Sequence, residues 1–455
     1  MQKKALIIAS AVFVFSAFVL KAELEESYWI GGANGSTDDP ADWSSAVPQT
    51  YAKNNQIGVF TNSATVSIPS THAGFSHLRV RNGAEVVITA SSTDYRLGLN
   101  GESFAEGYKS YIDVAQGSSL TIGGRVQGMY NYFGRKNTLI KNGPGVLTAK
   151  STIDDFDEID VTEGTVVFDN SKDATGGCKT SIGVHVGKYL MTIRNGAKVE
   201  QVKSNPFHNM LNIRVEKGGL FNAKGLSDVI AAFTGDGIVS NGTFMVKLKN
   251  GPYTFSGKAM RMELTIYKGG DDTSAQTEEE RGYIIGAADA FSASDMKLKM
   301  SEGFAAPENP VNSCIRFAPG IGTFTINDLT GAASHPIYLA DTTGNVVTMR
   351  VHKATGVSVR GPVDSSARGC LMFDCNQTFN AVLGPGADLA ATAGATVTLG
   401  ASAEIDPGAV FRFEKGTTLD LGGKTVTVRR FIGGGRKING RLVQTDPVGM
   451  TIIVR

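Results

Sequence analysis

"KNGPGVLTAKSTIDDFDEIDVTEGTVVFDN", residues 141–170, holds two short apolar runs, each just behind a glycine: Val146-Leu147 after Gly145, and Val166-Val167-Phe168 after Gly164. Between them, over residues 154–160, lies a chain of five carboxylates, Asp154, Asp155, Asp157, Glu158 and Asp160. The run is either an acidic active site or calcium site, or one turn of a repeated structural unit whose polar side is acidic. The rest of the chain chooses between these readings.

The same pattern of alternating apolar residues, a polar pair ending in Gly, and alternating apolar residues again recurs along the chain. It is found in "LRVRNGAEVVIT" (78–89), "IDVAQGSSLTIGG" (112–124), "IDVTEGTVVFDN" (159–170), "MTIRNGAKVEQV" (191–202) and "IRVEKGGLFNAK" (213–224). Looser copies are "LIKNGPGVLTAK" (139–150) and "GIVSNGTFMVKL" (237–248). The turn glycines Gly83, Gly117, Gly143, Gly164, Gly196, Gly218 and Gly242 are separated by 34, 26, 21, 32, 22 and 24 residues. A second series appears at 393–428 and 438–454.

Each copy reads strand, turn, strand, with apolar side chains on one face. One such unit cannot bury that face alone, whereas stacked units share a core. Unequal spacings suit a parallel β-helix, whose corners vary while its strands stay in register. Antiparallel hairpins in sandwiches are the competing arrangement, since Asn-Gly at 82–83, 195–196, 241–242 and 250–251 is a favoured hairpin turn. Sandwich domains repeat at about 100 residues, and no such period is present, so the solenoid is preferred. The acidic run then falls in a corner loop. A solvated loop lacks the environment that drives catalytic carboxylates apart in pKa, and calcium needs several convergent oxygens.

Composition agrees. Glycine is plentiful at 55 of 455 residues, as many tight turns require. Lys plus Arg (44) balances Asp plus Glu (43), which argues against nucleic acid as a partner. Lys3 and Lys4 precede an uncharged apolar run, Ala5–Leu20, so residues 1–22 read as a secretory signal peptide. No later run is long enough to span a membrane as a helix.

The four cysteines, Cys178, Cys314, Cys370 and Cys375, are too few for a disulfide scaffold, although Cys370 and Cys375 are close enough in sequence to bridge. With no CxxC pair and no His nearby in sequence, a zinc site is not expected, and the six scattered histidines read as ordinary ones. No cofactor, metal site or catalytic residue is therefore assigned.

The segment "YWIGGANGSTDDPADWSSAVPQTYAKNNQIGVFTNSATVSIP" (28–69) combines Trp29-Ile30-Gly31-Gly32, Trp43, Pro48 and "IGVFTNSATVSI". It resembles the W-x-G-G…W…P…V-x-F opening of bacterial exported proteins that carry autotransporter-associated β-strand repeats. "NGPGVLTAK" with "IDVTEGTVVFDN", and "GDGIVSNGTFMVKLKNGPYTFSGKA" (235–259), resemble the repeat itself. The resemblance implies a right-handed, pectin-lyase-like parallel β-helix at the cell surface or released from it. Autotransporters add a C-terminal membrane barrel, for which the roughly thirty residues after Gly423 are too few. A free-standing exported relative is thus expected.

The expected organisation is an all-β solenoid: signal peptide 1–22, N-terminal cap 28–69, repeats over 70–260, an insertion or junction at 261–310, and a second β-rich stack at 311–455. In the cap, Trp29 and Trp43 are read as a lid over the open end rather than a sugar-stacking platform. In the middle segment, "SASDMKLKM" is read as a short helix capped by Ser292 or Ser294. Two functions follow. The first is a structural or adhesive surface protein without catalysis, its partner a cell-surface glycan or protein. The alternative is a carbohydrate-active β-helix enzyme or glycan-binding protein, with Asp154, Asp155, Asp157 and Asp406 as candidate carboxylates.

Overall fold

The computed structural model describes residues 24–45, 56–69, 72–92, 95–104, 107–128, 136–169, 189–203, 206–207, 209–248, 251–267, 282–301, 307–332, 335–363, 366–392 and 394–446. The apolar leader, Cys178, His185, His208 and the polar run 271–281 lie outside the described residues.

The quoted stretch shows how one coil is made. Lys136–Asn142 lies on a first face, and the chain turns at Gly143-Pro144-Gly145. Val146–Ala149 then crosses a second face and Ile153–Asp154 a third. Glu158–Val161 returns to the first face one layer on, and Thr165–Phe168 to the second. The layers pair in parallel, Leu139 with Ile159 and Leu147 with Val166. The chain is a parallel β-helix. Strands make up 58% of the described residues, which contain no α-helix, only single 3-10 turns at Pro40–Asp42 and Pro310–Asn312.

Twelve parallel strands form the first face, from Glu25–Tyr28 to Ile315–Phe317, with Glu102–Phe104 added antiparallel. Seventeen form the second, an open ladder from Asn34–Ser36 to Arg430–Ile432. At about 4.8 Å per strand this ladder is about 77 Å long. The third face carries four short strands from His72–Phe75 to Ile153–Asp154, and four more from Gln377–Phe379 to Arg436–Ile438. In between, long second-face strands such as Leu220–Ile230, Ile238–Val246, Lys258–Ile266 and Thr348–Thr355 bend round the corner and take the third position themselves. Past Phe317 the first position is held by short strands that begin at Ile337–Tyr338, joined to the earlier ladder by a Phe317–Asp341 bridge. The second-face ladder runs on through 261–310, where Glu263 pairs with Lys297 and Leu298 with Leu329.

The alternation in sequence is the reason these residues form these strands. Leu78, Val80, Val86 and Ile88 are buried, as are Ile159, Val161, Val166 and Phe168, while Arg79, Val87, Asp160 and Val167 between them are partly or fully exposed. Phenylalanines stack along the interior: Phe168, Phe207, Phe221 and Phe233 meet in succession, with centroids 5.1–5.9 Å apart. Asn82 and Gly83 both take positive φ (59° and 71°), as a two-residue hairpin turn needs. Yet His77–Val80 and Glu85–Ala90 pair with neighbouring coils, not with each other. The hairpin arrangement is excluded: the turn is a corner between two faces of one core.

Other local expectations need correction. Ser292–Met300 is a turn followed by the strand Lys297–Met300, not a helix. Met296, Leu298 and Met300 are buried, with Lys297 and Lys299 between them, a period of two. Gly242 is not the positive-φ residue of its copy; Asn241 is, at 58°. Lys141, at the head of the quoted stretch, is buried inside a corner. Its Nζ donates to the carbonyl oxygens of Asn142 (3.0 Å), Gly143 (2.7 Å) and Glu163 (3.1 Å), and burial pushes its pKa down to about 8.

Candidate functional site

The carboxylates singled out in sequence do not converge. Asp157 accepts from the Asn137 amide (2.7 Å), Asp160 accepts from Arg194 (2.8 Å), and Glu158 pairs with Lys136. Each bond joins one coil to an adjacent one. Asp155, at φ 59°, accepts from the Gln127 side-chain amide, while the Asp154 side chain lies outside the described residues. The acidic run is also not a single corner loop: only 155–157 turn, and its two ends are strands on the third and first faces. Asp406 belongs to a separate cluster. Arg368 donates to the fully buried Asp388 (2.6 Å) and to Asp406 (3.4 Å), and Arg412 donates to Asp388 (3.0 Å).

Trp29 and Trp43 are both 3% exposed. They meet edge to face with centroids 5.3 Å apart, and Trp43 packs on Phe60 and Phe75 at 5.6 and 5.3 Å. The rings close the end of the core and offer no face to a ligand.

Geometry instead points to the corner between the second and third faces. Where the long strands bend, Lys224, Asn241 and Arg261 take positive φ (51°, 58° and 52°) in three successive coils. Asn222 pairs with Ser240 and Leu226 with Gly242, so three residues oppose Asn241 and the strand bulges. Non-glycine residues in this region each cost about 1–3 kcal/mol and cluster at functional positions.

The bend opens a cleft of about 300 Å³ walled by Asn241, Thr243, Arg261, Glu263, Asp295 and Lys297 over a glycine floor, Gly225 and Gly242. A Cβ on Gly242 would lie 2.6 Å from Ala223 and Phe244, so a side chain there would displace the core. Asp295 accepts from the Arg261 amide (2.9 Å) and faces its guanidinium (3.5 Å), and Glu263 pairs with Lys299. Exposed Met245 and Met260 lie on the neighbouring strand positions. The cleft is open to solvent and interleaves hydrogen-bond donors and acceptors.

Neither the cleft nor the bend is marked in sequence, because positive φ at Lys and Arg has no residue signature. Asn241 is the one signal in sequence, and next to Gly242 it has the form of an ordinary turn.

Buried histidines are spent on structure. His77 Nδ1 accepts from the Tyr111 amide (3.1 Å), and burial lowers its pKa. His335 Nε2 accepts from the Cys314 amide (3.2 Å). Cys370 and Cys375 are free thiols. Cys370 is buried in the strand Gly369–Phe373, its pKa pushed up to about 12, and Cys375 lies in the corner beyond, against the His352 carbonyl.

The fold and cleft define a non-globular class, the parallel β-solenoids. Compared with known proteins, the chain matches no family model, no curated protein and no solved structure.

Proposed function

We propose that this protein is an exported β-solenoid with a structural and adhesive role, displayed at the cell surface or released, and that the corner cleft binds an extended glycan. The observation that carries the reading is the cleft's position: it sits on a seventeen-strand ladder whose interior coils are each hydrogen-bonded on both sides. Such a rod is rigid, and it presents polar groups at strand spacing to a polymer lying along it. The described carboxylates of the acidic run bond to neighbouring coils, which supports a structural use for them. Export rests on Lys3, Lys4 and the apolar run after them. Kinship with the autotransporter-associated repeat proteins is part of the same proposal, supported by the place of the quoted repeats at successive corners.

A carbohydrate-active enzyme is the second reading, favoured by the presence of Glu263 and Asp295 in one cleft. Binding of the full chain to a panel of surface polysaccharides, with reducing ends measured in parallel, separates the two. Binding weakened tenfold or more in Asn241→Ala and Thr243→Ala, without release of reducing ends, supports adhesion. Release that disappears in Glu263→Gln or Asp295→Asn makes the protein an enzyme, and binding unaffected by every cleft variant removes the cleft from either role.

A further inference from the structure

Further along the same corner, His352 lies between Val351 and Lys353, where the strand Thr348–Thr355 bends. Val351 pairs with Phe373 on the next coil, so the two residues after Phe373, Asp374 and Cys375, fall beside His352. His352 Nδ1 is 3.1 Å from Asp374 Oδ1. One ligand atom from each of His352, Asp374 and Cys375 lies within 4.8 Å of the others, the one such group of three found among the described residues. The imidazole is 60% exposed and the carboxylate 26%, so an ion reaches them from solvent.

We propose that His352, Asp374 and Cys375 form a zinc(II) site with three protein ligands and a fourth position left to water. Nitrogen, oxygen and sulfur donors together suit zinc, and three ligands with an open position is the arrangement of exchangeable rather than closed structural sites. Bonds of about 2.0–2.3 Å in a tetrahedron put ligand atoms about 3.3–3.7 Å apart. The His352–Asp374 separation is already that short, and rotation of the Cys375 side chain, in the corner just past the strand Gly369–Phe373, closes the remainder. The thiol gives its proton to solvent as the sulfur takes the metal. His352 and Asp374 are 22 residues apart because that is the length of one coil here, and Cys375 follows directly, a spacing no metal motif contains. The site is separate from the cleft, and neither depends on the other.

Zinc titration of the full chain against a chromophoric chelator, together with cobalt(II) substitution, tests the site. One equivalent bound, with a thiolate-to-cobalt charge-transfer band, is expected. Cys375→Ala should abolish the band, and His352→Gln and Asp374→Asn should each weaken zinc binding by about 100-fold, at least the loss seen for outer-shell changes. Circular dichroism checks that the variants are folded. Should one not fold, alkylation of Cys375 in the unaltered protein, followed by peptide mass spectrometry, gives the same information: zinc at one equivalent slows it. No binding by the full chain, a band that survives Cys375→Ala, or alkylation indifferent to zinc overturns the proposal.

Discussion

Trp29 and Trp43 meet edge to face at the start of the coil, ring centroids 5.3 Å apart, and both lean on Phe60. This contact covers the apolar end of the core, which would otherwise be an exposed hydrophobic patch open to other chains. Trp43→Ala should cost about 3–5 kcal/mol, the scale for a buried tryptophan, and promote end-to-end association seen by light scattering. Native fluorescence should be blue-shifted and move red on unfolding. Emission unchanged on denaturation contradicts the lid.

Two corner glycines with nearly the same φ should respond differently to substitution. Gly164 (72°) would place a Cβ 2.5 Å from the carbonyl oxygens of Gly143 and Gly145, whereas Gly83 (71°) has nothing within 4 Å. Gly83→Ala should cost about 1–2 kcal/mol for the left-handed backbone alone. Gly164→Ala should cost clearly more, because the obstructing atoms are backbone of the adjacent corner. Equal denaturation midpoints for the two variants would refute the contact.

Asp228 gives a pH dependence. It is 3% exposed and accepts from the amides of Phe207 (3.0 Å) and Val229 (2.7 Å), and burial raises its pKa to about 7. With the folded pKa above the unfolded value of about 3.9, its contribution to stability is complete below pH 4 and is lost as pH rises through 7. Asp228→Asn removes this slope. The variant should gain on the parent by on the order of 3 kcal/mol between pH 4 and pH 8, read from urea midpoints at both. A constant difference across that window rules the titration out.

Arg261 separates strain from function. At φ 52° it is held in a conformation that glycine adopts freely. Arg261→Gly should leave stability unchanged or raise it by about 1 kcal/mol, with the relief of strain offset by the entropy of glycine. Glycan binding should fall at the same time. A variant that is less stable and binds normally would assign the bend to folding rather than recognition.

Asp160 pairs with Arg194 on an exposed face. Asp160→Asn should change stability by less than about 1 kcal/mol and leave glycan binding intact. A larger effect on binding would restore the acidic run as a functional site.

By itself, the sequence determined the class of fold and much of its detail. The apolar alternation around Gly83, Gly117 and Gly164 named the buried residues and the corners, because a strand's period of two and glycine's access to positive φ are local properties. It also put Trp29 and Trp43 before the first coil, where a lid belongs. Only the tertiary structure decided which residues meet across coils. Arg261 finds Asp295 and His352 finds Asp374 through the lengths of the intervening coils, which vary from corner to corner and follow no motif. The bend that strains Lys224, Asn241 and Arg261 likewise comes from fitting long strands around a shared core. That constraint comes from the stack as a whole, and no single repeat carries it.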